Sequence, residues 1–174
     1  MLAPLRALEH WHEFYILVGT AAAALVALLF VAVSVGAGVV TEERAAGTRT
    51  FISPVIVHFS AVLYACVLGL VPSHTRLSFA ALLGGAGALA AVYASNILAK
   101  VLRDPVADRA DRCFYGAAPV VAYVGAVVAA VLMLAGLNGG AEVLACALIL
   151  LLLANIRNAW DLATFIVRQQ SRPH

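Results

Sequence analysis

The residues most able to do chemistry lie in the last apolar run of the chain, which carries an arginine and an aspartate one helical turn apart. Arg157 and Asp161 interrupt a segment that is otherwise apolar enough for lipid, with 148–154 before them and 162–167 after them. Charges inside a spanning segment are costly, so their presence predicts either a functional or an architectural site. A spacing of four residues places both side chains on one helix face.

Two interpretations of this pair remain open. In the functional one, Arg157 is a fixed charge that selects anions or repels cations along a polar pathway, Asp161 is its partner or a titratable switch, and His58 is a proton acceptor near neutral pH. In the structural one, the pair locks the last helix against its neighbours, or the long arginine stem carries its charge to the cytoplasmic headgroups.

The elements that position these residues follow from the composition. Hydrophobic residues make up 64% of the chain and charged residues 11%, against about 45–50% and about 25% in soluble domains. A spanning helix needs about 20 apolar residues. The sequence therefore predicts an all-α membrane protein, a single domain over 1–174 with five transmembrane helices in a tight bundle, at 15–40, 51–71, 77–99, 114–137 and 143–167.

The basic residues predict the orientation of the bundle. The side that holds the N-terminal tail, the second loop and the fourth loop carries two of them, Arg6 and Arg76. The opposite side carries eight, namely Arg44, Arg49, Lys100, Arg103, Arg109, Arg112, Arg168 and Arg172. Since cytoplasmic loops are enriched in Lys and Arg, the N-terminus is predicted outside and the C-terminus in the cytoplasm.

A short interfacial helix is predicted ahead of the first span. Residues 4–14 have apolar side chains at helical spacing, and Pro4 suits a first helical turn. Trp11, Phe14 and Tyr15 would then form an aromatic anchor at the outer headgroups.

With this orientation, the polar residues of four spans share the cytoplasmic half of the membrane. At about 1.5 Å of rise per residue, the outer halves of those spans are almost purely apolar. The layer of candidate pore or binding residues consists of Ser34, His58, Asn96, Asn155, Arg157, Asn158 and Asp161.

Small residues and prolines predict how the helices pack. Ala80, Gly84 and Ala88 recur at four-residue spacing, as do the alanines at 118, 122, 126 and 130, which favours close helix approach. Pro119 marks either the start of the fourth span or a bend in it. Asp104, which precedes a proline, is predicted to cap a short cytoplasmic helix.

Other sites and partners are predicted mainly as absences. Glu9, His10, His12 and Glu13 could offer metal ligands on the outer face, but their spacing is that of an ordinary solvated helix edge. No second histidine lies within a span to pair with His58 around a haem, so no cofactor is expected. Catalytic motifs are missing, and the basic residues form no stripe suited to nucleic acid.

The partners predicted are the lipid bilayer and either further copies of the chain or other membrane proteins. The function predicted is a small homo-oligomeric channel or transporter for ions or a small solute, in a bacterial inner membrane. The alternative is a non-enzymatic structural or regulatory subunit of a larger membrane complex, in which the charged pair has a structural role.

Overall fold

Five long helices follow one another along the described chain. The computed structural model describes residues 10–37, 42–105 and 108–170, with side chains at 10–32, 34, 54–105 and 108–164. The helices are α1 (His12–Ala37), α2 (Glu42–Leu70), α3 (Arg76–Arg103), α4 (Arg109–Ala135) and α5 (Gly140–Gln170). The predicted all-α architecture is confirmed.

Four of these helices are long and apolar enough to cross a membrane. The qualifying segments are His12–Ala32, Arg76–Arg103, Arg109–Ala135 and Gly140–Thr164. The described apolar part of α2, Pro54–Leu70, is shorter. The chain is therefore a polytopic membrane protein by its helices, while the fifth span and the orientation stay predictions.

Capping boxes define where α3 and α4 begin. Thr75 accepts a hydrogen bond from the Ser78 N–H at 3.1 Å ahead of α3. Asp108 does the same for α4, accepting from the Asp111 N–H at 2.7 Å. The prediction that Asp104 caps a helix beginning at 105 is wrong. Asp104 instead ends α3, where its own N–H donates to the carbonyls of Lys100 and Val101.

The bundle is arranged around α5. This helix packs against α4, α2 and α1, while α3 packs against the far side of α4. Neighbours in sequence are not always neighbours in space, because α2 and α3 barely touch although only five residues separate them. Between them lies a crevice of about 40 Å³ that α4 and α5 also line, and its lining is mainly alanine, glycine and leucine. Within the described residues, the predicted tight packing is interrupted at this crevice.

The small-residue faces bring α3 and α4 together. A Cβ placed on Gly84 would lie 3.3 Å from the Ala130 Cβ, and one on Gly87 would lie 3.2 Å from Val127. Ala122, Ala126 and Ala130 are buried, whereas Ala88 is exposed. Close approach of the two backbones is how apolar helices gain packing energy within lipid.

Tyr15 belongs to the core and not to the predicted aromatic anchor. Its side chain is completely buried and lies against Gly69 of α2. Trp11 and Phe14, which pack edge to face with a centroid distance of 5.5 Å, stay partly exposed. The first turns of α1 therefore attach to α2 through a tyrosine ring seated on a glycine.

Adding one methyl group at Gly69 is expected to destabilise the protein. In Gly69→Ala the new Cβ would lie 3.0 Å from two carbons of the Tyr15 ring, and overpacking of this kind costs about 1–3 kcal/mol. Gly85→Ala is the matched control, because nothing lies within 4 Å of the added Cβ. Thermal melting in detergent should show a lower midpoint for Gly69→Ala alone. Equal midpoints for the two variants would contradict the Tyr15–Gly69 contact.

Candidate functional site

Three polar side chains of the predicted layer are buried and join three helices in pairs. His58, Asn155 and Asn158 are 2%, 1% and 1% exposed. The His58 Nδ1 and the Tyr123 hydroxyl form a 2.7 Å hydrogen bond between α2 and α4. The Asn155 amide donates to the Val55 carbonyl at 2.8 Å, joining α5 to α2.

Asn158 completes this set by joining α5 to α4. Its amide donates to the Phe114 carbonyl at 3.2 Å. The Tyr115 hydroxyl donates back to the carbonyl of Asn158 at 3.0 Å. The side-chain bonds of His58, Asn155 and Asn158 thus join α2, α4 and α5 in all three pairs. We call these three residues the polar triangle.

The Asn158 bond has a cause in the backbone of α4. Residues Arg112–Ala117 form a π-helical turn, in which Ala118 donates its N–H to the carbonyl of Cys113, five residues back. In the same spacing the Phe114 carbonyl would be paired with residue 119, which is a proline without an N–H. The asparagine side chain therefore supplies the donor that the helix lacks. Pro119 lies in the first turn of the regular α-helical part of α4, Ala118–Ala135, which continues directly from the π-helical turn.

The side chains of the two asparagines contribute through their amide donors alone. Within the described residues, the Oδ1 atoms of Asn155 and Asn158 are buried without a hydrogen-bond partner. A buried amide that makes only part of its bonds gives less net stability than a fully satisfied one. These residues still hold the helices in register, since each donor is aimed at one specific carbonyl.

Arg157 and Asp161 lie outside the polar triangle, on the surface of the bundle. Their side chains are 43% and 41% exposed, with the Arg157 Nε 3.6 Å from the Asp161 Oδ2. The guanidinium also lies over the ring of Phe114, at 4.8 Å from its centroid. Because Phe114 follows Arg112 by two residues, the pair lies near the level where α4 begins at the predicted cytoplasmic end.

Ser34 and Asn96 are also exposed and do not join the polar triangle. The Ser34 hydroxyl donates to the carbonyl of Phe30, one turn back in α1, at 2.8 Å. Asn96 lies on the exposed side of α3. The seven predicted layer residues therefore divide into three that are buried between helices and four that lie at the bundle surface.

The outer-face metal candidates are not brought together. His10, His12 and Glu13 are exposed near the start of α1, and Glu9 lies outside the described residues. In the part of the chain that the structure describes, no three His, Cys, Asp or Glu side chains are close enough to hold a metal ion.

Three tyrosines contribute to the site although their sequence context gave little reason to choose them. Tyr123 and Tyr115 bond to His58 and Asn158 as described, and the Tyr93 ring packs against His58 with a centroid distance of 6.3 Å. The sequence feature that could have identified them is the tyrosine hydroxyl itself, because a buried tyrosine hydroxyl usually has a hydrogen-bond partner. Tyr123 and Tyr93 lie in the interior of otherwise apolar spans, so a search for partners of His58 could have begun with them.

Comparison of the chain with models of protein families, with curated proteins and with solved structures finds no match. What the site does must therefore be argued from its own geometry. That geometry consists of a polar triangle that ties helices together and a charged pair that faces outward.

Proposed function

We propose that the protein is a non-enzymatic structural or regulatory subunit of a membrane assembly. The observation that carries the proposal is the exposure of Arg157 and Asp161 on the outer surface of α5. A solute path inside one copy would need polar side chains that face an interior space. The buried polar side chains of the triangle instead bond to neighbouring helices.

The interior space supports the same proposal. The described crevice between α2 and α3 has a volume of about 40 Å³ and an apolar lining. A cavity needs about 10–15 Å³ of such volume to hold one water, so this crevice has room for only a few waters. The exposure of the charged pair supports a partner that meets it from outside the bundle.

A charged pair on a membrane-facing surface favours coverage by protein. Ionisable groups in spanning segments almost always face a bundle interior, a water-filled cavity or a partner. Arg157 and Asp161 partly neutralise each other, and the Phe114 ring covers one face of the guanidinium. Their remaining exposed surface is the part that a second membrane protein would bury. The membrane in this proposal is a bacterial inner membrane, which the alanine-rich spans suit.

A second candidate function is a channel or transporter for ions or a small solute, formed between several copies of the chain. It is favoured by the exposed positions of Ser34, Asn96 and Arg157, on α1, α3 and α5 in turn. Polar groups on the outside of a bundle could line a path shared by neighbouring copies.

The two functions are separated by purification and by flux. We expect the protein extracted in mild detergent to run as an assembly, either with stoichiometric partners or with further copies. Arg157→Ala should weaken that assembly. Arg103→Ala should not, although Arg103 is also an exposed arginine near the predicted cytoplasmic end of its helix, α3. Proteoliposomes that contain the wild type should show no ion flux if the subunit role holds. Flux that Arg157→Ala abolishes would favour the channel, and a partnerless monomer without flux would overturn both.

A further inference from the structure

Four basic side chains lie where α3 ends and α4 begins. Lys100 and Arg103 belong to the last turn of α3, and Arg109 and Arg112 belong to the first turn of α4. All four side chains are exposed. We call these four residues the basic patch.

The packing of α3 against α4 brings the basic patch to one end of the bundle. A Cβ placed on Gly116 would lie 2.5 Å from the Leu98 side chain, so the start of α4 lies directly against the end of α3. Arg103 is the last residue of one candidate span, and Arg109 is the first residue of the next. The ends of spanning helices lie at the level of the lipid headgroups. The basic patch therefore lies at this level.

The positive charges of the basic patch have no anionic partner among the described residues. Ion pairing between described residues is confined to Arg157 and Asp161. The carboxylates of Asp108 and Asp111 are directed at the backbone, because each accepts the N–H of the other residue, at 2.7 and 3.4 Å. The segment 100–112 as a whole contains four basic and three acidic residues. Its basic groups are thus available to an anion from outside the chain.

The opposite end of the same two helices provides the contrast. Arg76 at the start of α3 is a single basic residue, and the residues that follow α4, 136–139, carry no charge. The Arg76 guanidinium lies beside Gly136, at the C-terminal end of α4, where the helix dipole is negative. At this end the one positive charge therefore has an electrostatic partner within the protein.

We propose that the basic patch binds the headgroup phosphate of an anionic phospholipid. A phosphodiester carries a negative charge and acceptor oxygens, to which arginine and lysine donate charge-assisted hydrogen bonds. Basic groups beside spanning helices are attracted to anionic lipids of the cytoplasmic leaflet, and the predicted orientation places the basic patch in that leaflet. The lipid is favoured over free phosphate because the two spans hold the patch where headgroups are concentrated. The proposal is independent of the partners of Arg157 and Asp161.

Lipid binding to the purified protein tests this proposal. Native mass spectrometry of the full chain in a neutral detergent should show tighter binding of phosphatidylglycerol than of phosphatidylcholine. The two lipids differ in headgroup charge but can carry the same acyl chains. Inorganic phosphate at the same concentration as the lipid should not displace phosphatidylglycerol. Equal affinities for the two lipids, or displacement by inorganic phosphate, would overturn the proposal.

Single substitutions locate the binding to the basic patch. Arg103→Gln and Arg109→Gln should each weaken phosphatidylglycerol binding about fivefold, the equivalent of about 1 kcal/mol for one basic residue near an anionic surface. Arg76→Gln is the matched control, because it removes one exposed arginine from the other end of α3. It should leave binding unchanged. An equal loss in Arg76→Gln and Arg103→Gln would show an effect of net charge alone and would overturn the basic patch as the site.

Asp108→Asn tests the sign of the effect. Asparagine caps a helix about as well as aspartate does, so α4 should still begin at Arg109. The substitution removes a negative charge next to two arginines of the basic patch, and phosphatidylglycerol should therefore bind more tightly than it does to the wild type. A merely structural role of this segment predicts no gain. Unchanged or weaker binding in Asp108→Asn would contradict the proposal, whereas the subunit role would stand.

Discussion

Replacing Asn158 with alanine is expected to lower the thermal midpoint of the protein by several degrees. The variant leaves the Phe114 carbonyl without a donor, since Pro119 has no N–H to replace the lost amide. An unsatisfied buried backbone group costs about 1–3 kcal/mol, and the low end of this range applies because the bond is only partly buried. Each kcal/mol shifts the midpoint of a chain of this size by about 2–4 °C. Removing the unpaired Asn158 Oδ1 offsets part of this cost. The midpoint can be measured by thermal melting in detergent.

Pro119→Ala is the control for this prediction, because residue 119 is the one that would pair with the Phe114 carbonyl in a regular π-helical pattern. In Pro119→Ala, residue 119 regains an N–H, so the Phe114 carbonyl has a backbone donor and depends less on Asn158. The cost of Asn158→Ala should therefore be smaller in the Pro119→Ala background than in the wild type. If the two substitutions add without coupling, the asparagine does not replace the missing proline donor.

Tyr123→Phe is expected to destabilise the protein by about 1–3 kcal/mol, because it leaves a buried His58 nitrogen without its partner. The ring and its packing are kept, so the loss reports the hydroxyl alone. Tyr64→Phe is the matched control: its hydroxyl donates to the Leu82 carbonyl at 3.4 Å from an exposed side chain, and little change is expected. The free energy of unfolding can be compared in mixed micelles with increasing SDS.

A double variant completes the comparison for this bond. His58→Leu removes the polar ring, so adding Tyr123→Phe to it should cost much less than Tyr123→Phe alone. Full additivity of the two losses would contradict a direct bond between α2 and α4.

Hydropathy assigns the polar residues to apolar helices, but it does not give the direction in which they face. Asn155 and Arg157 were assigned to one layer, yet one is buried against α2 and the other lies on the surface. Two residues apart on a helix, they project about 200° from each other. The sequence could not tell which side faces inward, because a helix that is apolar nearly all round gives no clear direction to its buried face.

Backbone irregularity was the second limit of the sequence. Pro119 signalled a disturbance, but whether it starts, bends or widens a helix depends on the turn before it. The π-helical turn inserts one extra residue, which hydrophobic periodicity does not register over so short a segment. Likewise, Asp104 and Asp108 are both residues that can cap a helix N-terminus. Only Asp108 does so, because the Asp111 side chain completes a capping box with it.

The gap between α2 and α3 has a consequence for how the chain is assembled during synthesis. When α3 enters the membrane, the helix made just before it offers almost no surface to pack on. Its main partner is α4. The C-terminal end of α4 at Gly136, which has a φ of 72°, lies beside the guanidinium of Arg76 at the start of α3. We therefore expect α3 and α4 to pack together as a hairpin before they join the rest of the bundle.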